Sequence, residues 1–125
     1  MADIERLIAD AMTTWKSGAM KPSRKTYGEV RDGEVCGCLM TAAVACGNPG
    51  LIKAIKDDDE EDIVEFVVET AKNRYGVGEW ERAAIIGGFD DLPPAASPKL
   101  DLSIYAKAQE AARAVGLPIA SGANL

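Results

Sequence analysis

The stretch from Gly37 to Ala45 (Gly-Cys-Leu-Met-Thr-Ala-Ala-Val-Ala) carries no charge and offers no polar face. A helix formed there is apolar all round, and such a helix is stable in water only when other elements cover it on every side. The rest of the chain therefore has to wrap it. At 125 residues there is material for one domain and one core. The expected fold is mainly α, a compact bundle of five or six helices over residues 1–118. Asp32-Gly33 marks one small β-hairpin near residues 26–36, because Asp-Gly supplies the positive backbone dihedrals of a two-residue turn. Residues 119–125 read as a frayed tail.

Periodicity places the covering helices. Ile4, Leu7, Ile8, Ala11, Met12 and Trp15 form one stripe of a helix over 3–16 that Asp3 can cap. Residues 17–25 read as a basic, mobile loop. Pro49 sits at a helix-opening position before Leu51, Ile52 and Ile55. A helix over 59–75 buries Ile63, Val64, Phe66, Val67, Val68, Ala71 and Tyr75, and Gly76 stops it. A helix over 78–86 carries Trp80, Ala83, Ala84 and Ile85 and ends at Gly87-Gly88. Asp101 or Ser103 caps a last helix over 102–115, closed by Gly116 and Pro118. Aromatic residues make up only 6% of the chain, so the core relies on close helix contacts more than on large rings.

The charge is local. The formal net charge is −6, yet residues 1–35 and 70–125 each balance to zero. Residues 36–56 hold only Lys53 and Lys56. Residues 57–69 hold eight acids and no base: Asp57, Asp58, Asp59, Glu60, Glu61, Asp62, Glu65 and Glu69. Acids in a first helical turn complement the helix dipole, which accounts for two or three of them. Glu61, Glu65 and Glu69 repeat at a spacing that is mildly repulsive. Three readings stand: a solvated helix start, a hard-cation site, and a docking surface for the basic surface of another protein, where the carboxylates steer association and set specificity. The block does not follow the calcium-loop pattern, since the sixth residue from Asp57 is Asp62 where that loop needs glycine.

The chain contains no histidine. This removes Ser-His-Asp and Cys-His catalysis and every imidazole metal ligand. Cys36, Cys38 and Cys46 include no Cys-x-x-Cys pair and lack a fourth ligand, so they read as small core residues with reduced thiols. The acid excess argues against direct binding to nucleic acid, which needs clustered cations. Lys16, Lys21, Arg24, Lys25 and Arg31 form the one cationic cluster, a weak footprint for that role. No signal peptide and no membrane span are apparent, which points to a cytoplasmic protein. Gly76, Gly78, Gly87 and Gly88 lack the Lys-Ser/Thr of a phosphate loop and read as helix terminators. Trp80, Phe89, Asp90 and Asp91 offer a small-molecule or nucleotide pocket as an alternative, against the plainer reading that Phe89 fills the core and Asp90 caps a turn.

Trp15, the basic loop after it, and Gly33-Glu34-Val35-Cys36-Gly37-Cys38-Leu39-Met40-Thr41-Ala42-Ala43 resemble a family of small uncharacterised bacterial and phage proteins. In that family a Trp-ending helix precedes a Cys-Xaa-Leu-Gly-Ala helix. Ile86 to Asp91 and the helix from Asp101 resemble its Phe-Asn-Asp segment and alanine-rich last helix. Met40 stands where the pattern has glycine, and Asp90 where it has asparagine. The resemblance implies a helical fold and a bacterial or phage origin, and it assigns no activity and no catalytic residue.

The expectation that follows is a small acidic binding protein, a phage-type inhibitor or modulator docking a basic host surface through residues 57–69, with no cofactor and no catalytic residue. A ligand-binding module near Trp80, Phe89 and Asp91 is one alternative, and a divalent-metal carboxylate enzyme is the other. A homo-oligomer is compatible with the sequence.

Overall fold

The computed structural model describes residues 2–57, 60–94 and 97–117. The order along the chain is α1 (Ile4–Ser17), β1 (Lys21–Pro22), β2 (Glu29–Arg31), β3 (Glu34–Gly37), α2 (Leu39–Ala45), α3 (Pro49–Lys56), α4 (Glu60–Tyr75), α5 (Glu79–Phe89) and α6 (Leu102–Ala114). The fold is mainly α, with six helices and one small sheet among the described residues.

The helix that is apolar on all sides lies at the centre. Every residue of α2 is buried, and α2 contacts α1, α3, α4, α5 and α6. Burying a helix end leaves carbonyls that need donors from elsewhere, and neighbouring helices supply them. Thr14 of α1 donates through its hydroxyl to Ala42 O at 2.7 Å. Asn48 Nδ2 donates to Val44 O at 2.7 Å, and Asn48 N to Ala45 O at 2.9 Å. Arg74 Nη1, near the end of α4, lies 3.3 Å from Ala43 O and 3.1 Å from Cys46 O. Beside it Tyr75 Oη donates to Asp10 Oδ2 of α1 at 2.6 Å, with Ala43 O at 3.1 Å as the alternative acceptor. Burial, then the bond to Asp10, pushes the Tyr75 hydroxyl up to about 12.

The hairpin forms as the sequence indicates. Val30 pairs with Val35 and Arg31 with Glu34, and both turn residues, Asp32 and Gly33, take positive φ (52° and 78°). The expected mobile loop before it is instead held in place. Lys21 and Pro22 add a third strand parallel to β3, in the order β1-β3-β2. Met20 and Ser23 are buried, and Arg24 Nε donates to Phe89 O at 2.7 Å. A two-residue strand containing proline gives no local pattern, and its stability comes from pairing with a distant segment.

Gly87 and Gly88 do not end α5. The helix runs on to Phe89, and the glycines face α6: a Cβ on Gly88 would lie 2.2 Å from Tyr105 O. They permit close helix approach instead of termination. Gly18, Gly47, Gly76 and Gly116, all with positive φ, follow the ends of α1, α2, α4 and α6 and act as stops. Asp3 and Asp101 cap α1 and α6 as expected, Asp101 Oδ1 accepting from Ser103 N and Ile104 N. The expected tail, residues 119–125, lies outside the described residues. No described helix is long and apolar enough to cross a membrane.

Candidate functional site

The described residues of the acidic block divide between two helices. Asp57 is the C-cap of α3, not part of α4, and its carboxylate lies 3.6 Å from Lys53 Nζ one turn earlier. Asp58 and Asp59 lie outside the described residues. Glu60 opens α4. Glu61, Asp62, Glu65 and Glu69 are exposed on α4, and none of the four forms an ion pair among the described residues.

Helical geometry decides which of these acids act together. At about 100° per residue, Ile63, Val67, Ala71 and Tyr75 share one stripe, and all are buried. Asp62, Glu65, Phe66 and Glu69 fall within a second arc of about 100°. Phe66 was expected in the core because it is apolar. It lies on the acidic side and is 42% exposed. Its angle on the helix, about 120° from the centre of the buried stripe, puts it there.

That arc forms one wall of a cavity of about 540 Å³ between α3 and α4. Asp62, Glu65, Phe66 and Glu69 face Gly50 and Ala54, with Leu51 and Ile63 also lining it. Leu51 and Ile63 are buried, so the floor is apolar and the rim is anionic. The sequence supplies this shape through Gly50 and Ala54, whose small side chains leave the α3 wall low. A Cβ on Gly50 would meet nothing within 4 Å.

The second set of candidate residues does not share one pocket. Phe89 is fully buried and stacks on Trp15, with ring centroids 5.7 Å apart. Trp80 is covered by Lys99 Nζ at 5.8 Å from its ring centre. Asp91 Oδ1 accepts from Gln109 Nε2 at 3.3 Å. Asp90 lines a smaller cavity of about 310 Å³ with Lys25, Thr26, Tyr27 and Cys38. There its Oδ1 accepts from Lys25 N at 3.1 Å. Burial raises the Asp90 carboxyl, the Tyr27 hydroxyl and the Cys38 thiol from their ordinary values, because removal from water penalises the charged form of each. A thiol so buried and so raised is a poor nucleophile.

The cationic cluster is largely engaged within the chain. Lys21 pairs with Glu34 at 2.7 Å, Arg31 pairs with Glu29, and Arg24 bonds Phe89 O. Among the described residues no three Cys, Asp or Glu side chains converge as metal ligands would. No family model matches the chain, and no curated protein or solved structure does either.

Proposed function

We propose that this is a small binding protein that docks a basic surface of another protein through the exposed face of α4. The observation that carries the reading is Phe66, a large apolar ring held half in solvent between the carboxylates of Asp62, Glu65 and Glu69 at the edge of an apolar groove. Charge gives such a face its long-range attraction and its choice of partner, and buried apolar area gives most of the affinity. An acidic helix flank without an apolar centre would be only a solvated face. A nucleic-acid-binding protein is a fitting partner, because its basic surface would accept these carboxylates in place of phosphates. On that reading the protein acts as an inhibitor or modulator of a bacterial host factor.

The test is affinity capture from bacterial lysate with the intact protein beside a variant carrying Asp62→Asn, Glu65→Gln and Glu69→Gln. A partner retained by the intact protein, released by added salt and absent from the variant eluate supports the reading. The same proteins retained by both would overturn it.

A further inference from the structure

We infer that the groove between α3 and α4 receives a basic amphipathic helix, with one apolar side chain seated against Phe66 and cations ranged along Asp62, Glu65 and Glu69. This rests on the docking reading above and specifies the shape of what docks.

Exposure alone does not single out Phe66, since Leu102 is 61% exposed. What sets Phe66 apart is that it lines a groove whose floor is apolar and whose rim carries three carboxylates. Among the described residues no cation of α3 pairs with them, and Lys53 lies 3.6 Å from Asp57 on its own helix. A single metal ion fits this arrangement poorly. Its ligands must converge on one point, whereas Asp62, Glu65 and Glu69 are strung along the helix at axial steps of about 4.5 and 6 Å. A row of separate cations fits it well.

The spacing and the walls together favour a helix over an extended segment. The carboxylates are separated by three and then four residues, the same alternation by which one face of a partner helix recurs. Side chains on one face of a strand recur about every 6.6–6.8 Å and drift out of step with that pattern. The stronger constraint is the backbone. Both walls of the groove are helices, and the free main-chain groups they offer are first-turn N–H donors near Gly50 and Asp62, not the alternating donors and acceptors of a strand edge. An extended segment laid between them would find no run of acceptors for its buried amides, at a cost that a helix avoids by bonding internally. The lining of α4 runs from Asp62 to Glu69, about two turns, so the contact is short and depends on one well-seated apolar anchor.

Two synthetic peptides of identical composition test this. One is a helical peptide with lysines at i, i+3 and i+7 and leucine at i+4, and the other scatters the same residues around the helix. Binding is followed by fluorescence anisotropy and by amide shifts in the labelled protein. The patterned peptide should bind about tenfold more tightly or better, with shifts centred on residues 50–54 and 62–69. Gly50→Leu has open space for its side chain and favours the helix more than glycine does. It fills the groove and should remove the preference while leaving the carboxylates in place. Equal, salt-sensitive binding of both peptides, unaffected by Gly50→Leu but lost with Glu65→Gln and Glu69→Gln, would overturn the helical seat and leave the docking reading standing. Salt-sensitive binding of neither peptide would overturn both.

Discussion

Gly88 of α5 and the carbonyl of Tyr105 in α6 approach so closely that a β-carbon on Gly88 would sit 2.2 Å from Tyr105 O, with Ala108 Cβ at 3.0 Å. Backbone atoms cannot move aside as a flexible side chain can, so Gly88→Ala must push the two helices apart. The expected loss is about 1–3 kcal/mol or more, read by urea denaturation. The adjacent Gly87→Ala places its methyl 3.6 Å from the Tyr105 ring, an ordinary contact. It should be neutral or stabilise by up to about 1 kcal/mol by removing glycine from a helix interior. Similar losses from both substitutions would show that close approach is not what Gly88 provides.

Tyr75 links stability to alkaline pH. Its folded-state hydroxyl is raised to about 12, by burial first and by the bond to Asp10 second, against an unfolded value near 10. A raised folded value means that the stabilising contribution is complete below pH 10 and is lost as pH climbs through 12. Tyr75→Phe should cost about 0.5–1.5 kcal/mol at pH 8 and flatten the stability profile between pH 10 and 12. Denaturation midpoints measured at pH 8, 10 and 11 in both proteins check this. An equally steep decline in Tyr75→Phe would assign the effect to other groups.

The acidic face should trade stability for function. Glu65 has Glu61 and Glu69 one turn away on either side and Asp62 three residues before it, all exposed, and like charges at these spacings repel. Glu65→Gln should therefore raise the melting temperature at low salt, through a stability gain of about 0.2–0.5 kcal/mol for each repulsive pair relieved. The gain should shrink as salt screens the charges. The same substitution should weaken partner binding. A melting temperature unchanged at low salt would mean that the carboxylates do not feel one another.

Asp90 separates geometry from charge. Its carboxyl is raised by burial, while Oδ1 holds Lys25 N at a residue with φ of 63°. For a carboxylate the raised folded value means that the ionised form costs stability above it, and that this cost disappears as pH falls through the raised value. Asp90→Asn keeps an acceptor for Lys25 N without the buried charge, so at pH 7 it should be neutral or stabilising. Asp90→Ala removes the acceptor and should loosen residues 24–25, visible as faster amide exchange there. A large loss of stability in Asp90→Asn would show that the charge itself is needed.

The central helix, the Asp32-Gly33 hairpin and the caps at Asp3 and Asp101 are all legible in the sequence, because each depends on neighbours within a few residues. The signals that misled were those whose meaning lies in a partner segment. A glycine pair looks the same whether it ends a helix or admits another helix, and only Tyr105 tells the two apart. Lys21 and Pro22 form a strand only because Cys36 and Gly37 are beside them. Phe66 is a different case, because its angle on α4 was available from the sequence. Residue type alone suggests the core, whereas helical angle puts Phe66 on an arc with Asp62, Glu65 and Glu69. The groove needed α3 as well, and nothing in the sequence says that Gly50 and Ala54 face that arc.

The burial of α2 bears on when the protein can fold as well as on how. A seven-residue helix is far too short to persist in water unaided. Its covering includes α6, which begins at Leu102. The hub of the core is synthesised early, but its last wall is added near the end of the described chain. During translation the part of residues 39–45 that α6 covers therefore has no cover until α6 has emerged.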